Sequence, residues 1–206
     1  MNQPAQLVSS ALDEETARAE VYGLLAALFY APPSAGLIGN LRVAVTEAPA
    51  AGALLEASWG ELVGAARRLS DEEIAREYDM LFGGIGKPEV YLFGSHYLSG
   101  FLNEKPLAAL RTDLEVLGLA RDEAMSETED HLAYLFEVMR YLIAGDDVEV
   151  ANLTRQREFF ARHLQPWAPV LCDAVSAHPK ADFYRCVASF THTFLSVETQ
   201  GFDMLA

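Results

Sequence analysis

The chain has 206 residues, 51% of them apolar, enough for one domain with a full core that needs neither disulfides nor metals. Thirty acidic residues against fifteen basic ones give a formal charge of -15, which repels polyanions, excludes nucleic acid as a partner and attracts a cationic peptide. Cys172 and Cys186 form no CxxC pair, no basic n-region precedes the first apolar run, and the greasiest stretch, Val21 to Ala31, is too short to span a bilayer, so the expectation is a soluble cytoplasmic protein.

The periodicity is helical almost throughout. Residues 1–12 read as a flexible N-terminal extension of a single domain covering 1–206. Residues 13–30 then place Ala17, Val21, Leu24, Leu25, Leu28 and Phe29 on one helical face, and Pro32-Pro33 stops that helix. Helices follow over 35–47 and 52–69. Ser70 with Glu73 is a capping box and starts a helix that runs to Phe82. Gly83-Gly84-Ile85-Gly86-Lys87-Pro88 breaks it. The aromatic stretch from Glu89 to Phe101 reads as an ordered loop with room for a short helix.

Pro106 fits the first turn of a helix that ends at Gly118. Ser126 with Glu129 repeats the capping box, and the helix behind it is the clearest in the chain. Its stripe is Leu132, Leu135, Phe136, Met139, Leu142 and Ile143, with Gly145 at the end. Asp146 or Asp147 caps the next helix, to about Leu164. Pro166 opens another, to about His178, and the last covers about 181–200. No segment alternates as a strand and no repeat of fixed length is visible. The fold class is all-α, a single-domain bundle of eight or nine helices with one informative loop at 83–103.

Catalytic and metal chemistries find little support. Lys87 is followed by Pro88 rather than Ser or Thr, so the glycine run is not a phosphate loop. Gly94-Ser95-His96 lacks the Gly-x-Ser-x-Gly pattern. Three residues before the five histidines stand Phe93, Thr128, Phe160, Val175 and Ser189, so no Glu-x-x-His pair exists for a di-metal site. No catalytic residue, cofactor or metal ligand is assigned.

The charge is concentrated. Residues 121–150 hold nine acids against Arg121 and Arg140. Glu127, Glu129 and Asp130 would sit in the first turn of the 126–145 helix, where acids suit the helix dipole. With Asp122 and Glu123 upstream they exceed what capping needs, and carboxylates pair with guanidinium in forked geometry. His131 would sit where the apolar face meets solvent, its pKa raised by Asp130 and Glu127. Tyr78, Phe82, Tyr91, Phe93 and Tyr97 are either core or the lining of a peptide groove.

The ordered set of motifs resembles the TorD/DmsD/NarJ family of cytoplasmic molybdoenzyme chaperones. The matching pieces are Tyr22 to Phe29 with Pro32-Pro33, Glu77 to Phe82 with Gly84, Phe93-Gly94-Ser95, Glu129 to Leu132 with Met139, His163 to Trp167, and Phe183-Tyr184-Arg185. The resemblance implies an all-helical, non-enzymatic chaperone, a monomer or dimer with no stable membrane insertion. It would bind the twin-arginine signal peptide of a molybdenum- or tungsten-cofactor oxidoreductase until cofactor insertion and folding are complete. It also implies that Tyr78, Leu81, Phe82, Leu92, Phe93, Asp130 and His131 form the peptide site, to which the carboxylates of Glu127 and Glu129 add. Thr128 stands where members often carry Pro, and Leu92-Phe93 where they carry Pro-Trp. Phe93 to Phe101 and Glu104 to Arg111 resemble members paired with formate dehydrogenases. The alternatives are a generic acidic helical adaptor and a helical metal- or nucleotide-binding enzyme.

Overall fold

The first long helix ends against two prolines, and much of the fold is organised around that stop. In the computed structural model, which describes residues 7–46, 53–83, 87–102, 104–122 and 126–204, α1 spans Leu7–Tyr30. Pro32 and Pro33 have no N–H to return to the carbonyls of Leu28 and Phe29. Two tyrosine hydroxyls supply the missing donors: Tyr184 Oη donates to Leu28 O at 2.9 Å and Tyr78 Oη to Phe29 O at 3.1 Å.

The other helices are α2 (Ala35–Val43), α3 (Glu56–Arg68), α4 (Asp71–Phe82), α5 (Gly94–Ser99), α6 (Lys105–Val116), α7 (Leu132–Ala144), α8 (Leu153–His163), α9 (Ala168–Ala177) and α10 (Phe183–Asp203). That is ten helices and no strand among the described residues, against the eight or nine expected; the tenth is the short α5 inside the aromatic loop. The capping box at Ser70–Glu73 is present. Gly118 ends the turn after α6 with φ 69, the left-handed conformation glycine tolerates.

Three helix starts differ from the sequence expectation. α1 begins at Leu7, inside the segment read as a flexible extension; residues 1–6 lie outside the described residues. So do Gly84, Ile85 and Gly86, the centre of the glycine run. α7 begins at Leu132 with His131 as its N-cap, so Ser126 and Glu129 form no capping box and the three acids precede the helix instead of filling its first turn. α8 begins at Leu153: Asn152 caps it by accepting from Arg155 N at 3.1 Å, while Asp147 Oδ1 accepts from Glu149 N in the turn before.

The buried residues form one continuous core. α1 and α7 are its most intimate pair, with Tyr22, Leu25, Leu28 and Phe29 against Leu132, Leu135, Phe136, Met139 and Leu142. A Cβ on Gly23 would meet Arg140 Cδ at 3.0 Å, so glycine there lets the Arg140 stem lie on α1. α10 packs on α9 and α3. A polar network links α1, α7, α8 and α10 through the interior. Arg18 donates to both oxygens of Glu198 at 2.8 and 2.7 Å, Tyr22 Oη reaches Glu198 at 2.9 Å, and Gln156 joins Arg18 to Leu142 O. Paired and fully bonded charges of this kind are tolerated inside a fold. No described helix is long and apolar enough to cross a membrane.

Candidate functional site

The site is built where the chain after α4 returns to meet the chain before α7. Val90 N donates to Leu81 O at 2.9 Å, which fixes the return against α4. Leu132 N donates to Leu92 O at 2.8 Å and Gly94 N to Asp130 O at 3.0 Å, so Phe93 and His131 face each other in an isolated antiparallel bridge. Their rings meet edge to face at 5.1 Å. Residues 38 positions apart in sequence are thus joined as if in a two-residue sheet.

Asp130 holds the junction. Its Oδ2 accepts from Ser95 N at 2.9 Å and its Oδ1 from the Thr128 hydroxyl at 2.6 Å. The first bond secures the entry to α5; the second fixes the turn before α7. Asp130 and His131 are both 3% exposed, so neither stands free on the surface as the sequence pattern suggested. His131 Nδ1 accepts from Ala133 N at 3.2 Å, which leaves the proton of the neutral ring on Nε2. Burial holds the His131 pKa down to about 4, and the nearby Asp130 carboxylate raises it only in part. The expected upward shift is thereby reversed, because desolvation of the imidazolium outweighs its attraction to the neighbouring acid.

Glu129 is also engaged. Arg111 on α6 grips it side-on, Nε to Oε1 at 3.0 Å and Nη2 to Oε2 at 2.9 Å. Burial pushes the Glu129 carboxyl upward, but the Arg111 bonds, with help from Arg121, outweigh it and hold the group below the usual range. Glu127 is half-buried and lies within electrostatic reach of the Tyr78 hydroxyl, as do Asp79 and Tyr30; burial first, and then these acids, raise the Tyr78 pKa.

The aromatic face of α4 stands beside this junction. Tyr78 packs on Phe82 at 5.2 Å and on Tyr184 at 5.7 Å, and Phe82 also meets Phe29 and Tyr184. Leu81 and Leu92 are buried, while Phe82 and Phe93 are half-buried. A second ring series runs Phe93, His131, Tyr134, Tyr30, with spacings of 5.1, 5.6 and 5.7 Å. Tyr30 is 46% exposed. The sequence reading missed Tyr30 and Tyr134. Tyr134 lies three residues after His131, on the same helical face, and that spacing was the available signal.

Beside Glu129 a cavity of about 460 Å3 opens between the end of α6 and α7, walled by Leu114, Leu119, Tyr134, Val138 and Tyr141. Ser95 and His96 make no nucleophile pair: Ser95 is buried, while His96 stacks on Tyr91 at 4.2 Å. Among the described residues no group of three His, Cys, Asp or Glu side chains is placed to hold a metal.

Half-buried rings stand beside carboxylates committed to backbone and arginine partners, and the class the fold defines is an all-helical protein of ten helices among the described residues. Residues 48–173 match the nitrate reductase delta subunit family, and the chain belongs to that family of TorD-like maturation chaperones; it is a chaperone and not an enzyme. It is similar to "Chaperone protein TorD" of Vibrio cholerae, with 26% identity over 204 residues, 91% of this chain and 93% of the relative. The protein of that name from Vibrio parahaemolyticus is 26% identical over 151 residues, 67% of this chain and 70% of its own length. That from Aliivibrio salmonicida is 26% identical over 136 residues, 62% and 63% respectively.

Proposed function

We propose that this chaperone binds, in the cytoplasm, the twin-arginine signal peptide of a molybdenum- or tungsten-cofactor oxidoreductase. It holds that leader until the cofactor is inserted and folding is complete. The observation that supports this reading most is the Phe93–His131 junction, which sets half-exposed rings and an acidic segment beside the α4 face in a family member of charge -15. Phe82 and Phe93 take the apolar run of the leader over Leu81 and Leu92. Glu127 and Glu129 receive its guanidinium groups. Asp130, His131 and Tyr78 position these elements from beneath, through their bonds to Ser95, Ala133 and Phe29.

Affinity and specificity divide between the two halves of the leader. Each exposed arginine–carboxylate pair is worth about 0–1 kcal/mol, so the arginines set encounter rate and selectivity. Burial of the apolar run, at about 25 cal/mol per Å2, supplies most of the affinity.

The test is calorimetry with a synthetic peptide bearing Arg-Arg ahead of an alanine- and leucine-rich run. Phe93→Ser should weaken binding about tenfold or more while the melting temperature stays within a few degrees of wild type. Equal affinity for wild type and Phe93→Ser would refute the site. We further propose a formate dehydrogenase-type client, from the resemblance over Phe93 to Phe101 and Glu104 to Arg111. A leader from such an enzyme should bind more tightly than one from another molybdoenzyme; the reverse order would reject that client.

A further inference from the structure

Glu129 is the one proposed guanidinium acceptor that already holds a guanidinium. The grip is two-pronged, at 3.0 and 2.9 Å, the geometry in which an arginine best meets a carboxylate. The two partners differ in exposure: the Glu129 side chain is 10% exposed and that of Arg111 is 49% exposed. The carboxylate is therefore sunk, and its arginine reaches it from the solvent side, as an arginine of a bound peptide would. The cavity of about 460 Å3 along Leu114, Tyr134 and Val138 reaches the same carboxylate and has room for an incoming aliphatic stem.

Arg111 is not needed to keep α6 in place. Leu107, Leu110 and Leu114 bury the inner face of that helix. Asp113 ties its end to α8, accepting from Arg162 Nη1 at 2.8 Å and pairing with His163 Nε2 at 2.7 Å. Beyond its two bonds to Glu129, about half of the Arg111 side chain is open to solvent, with the Asp130 carboxylate within electrostatic reach.

From this we infer that Arg111 is an internal competitor for the leader's arginine, occupying Glu129 in the free chaperone and leaving it when the leader arrives. The inference rests on the leader-binding reading above. Its consequence is a selectivity threshold. A ligand must present a group that matches a forked guanidinium at the carboxylate, which another arginine does and the compact ammonium of a lysine does not. Lone cationic segments of other proteins are then turned away by the chaperone's own side chain.

The experiment measures the Kd of the Arg-Arg peptide and of its Lys-Lys counterpart for wild type, Arg111→Gln, Glu129→Gln and the double variant. Arg155→Gln on α8 controls for the change in net charge. The expected result is a gain in affinity of about two- to fivefold for Arg111→Gln with the Arg-Arg peptide, the span of one exposed ion pair. The gain should vanish in the Glu129→Gln background and be absent from Arg155→Gln. The Lys-Lys peptide should gain no more than the Arg-Arg peptide in Arg111→Gln, because it is relieved of at most the same competitor. Should Arg111→Gln fail to fold, Arg111→Lys keeps the charge, loses the fork and should show a smaller gain. Binding to wild type that Arg111→Gln leaves unchanged or weakens, or an equal gain in Arg155→Gln, overturns the competitor and leaves leader binding standing. No binding of the Arg-Arg peptide to any of the five proteins overturns both.

Discussion

His131 shows how one residue can be marked by its sequence and yet act in the opposite sense. The acids around it suggested a charged imidazole on a rim, but burial keeps it neutral, as the N-cap of α7. Its pKa of about 4 in the folded protein lies below the ordinary 6.5, so the unfolded chain takes up the proton first as the pH falls. Stability linked to His131 is therefore intact above the ordinary value and is lost as the pH drops through it towards 4, on the order of 3 kcal/mol in all. His163, also lowered by burial despite its pairing with Asp113, acts in the same direction. Urea unfolding at about pH 7 and about pH 5 should show the loss, and His131→Asn, which keeps a capping oxygen, should shrink it. A pH dependence unchanged in His131→Asn would assign the effect elsewhere. In the sequence Glu77 opens the family-like motif that runs to Phe82, with no role of its own assigned. Its carboxylate accepts the backbone N–H groups of Asp182, Phe183 and Tyr184 at 2.8, 3.0 and 2.8 Å, capping α10 from the side of α4. Glu77→Gln should cost about 1–3 kcal/mol in urea unfolding, because an amide cannot accept from all three donors.

At the scale of elements, what matters is how helices are stopped and seated. Two prolines end α1, and the carbonyls they orphan are recovered by tyrosines from α4 and α10. Tyr184→Phe leaves Leu28 O without that donor in the core and should cost about 1–3 kcal/mol, read as a lower unfolding midpoint at unchanged slope. The seating of α5 is equally tight. A Cβ on Gly94 would lie 3.0 Å from Trp167 Cε2 and Nε1, and the Trp167 ring is itself pinned by its Nε1 bond to His163 O. Gly94→Ala should cost about 1–3 kcal/mol through overpacking. Because Asp130 anchors the next residue, Gly94→Ala should weaken leader binding as well. Normal stability in this variant would show that the α5–α9 contact is looser than it looks.

Across the whole molecule the charge of -15 governs how partners approach more than how tightly they stay. Leader affinity should fall with added salt, mainly through a slower association rate, since exposed pairs are screened and the buried apolar run is not. Stopped-flow mixing at low and physiological salt distinguishes the two rates; a salt effect confined to dissociation would contradict this view. The same acidic surface keeps most arginines occupied internally. Arg18, Arg68, Arg111 and Arg162 all sit in two-pronged or paired contacts with acids from distant parts of the chain.

The sequence alone determined the helical class, the stop at Pro32-Pro33, the capping box of α4 and the apolar stripe of α7, because each depends on residues within a turn or two of one another. It also carried the order of motifs that marks the family. It misjudged the start of α7: Ser126 and Glu129 have the spacing of a capping box, but Glu129 is claimed by Arg111, 18 residues away, and Asp130 by Ser95, 35 residues away. Which carboxylates are free, which way a histidine titrates and which rings reach solvent depend on desolvation and on partners brought together by packing. Only the tertiary structure decides these, because burial is a property of the folded neighbourhood and has no period along the chain.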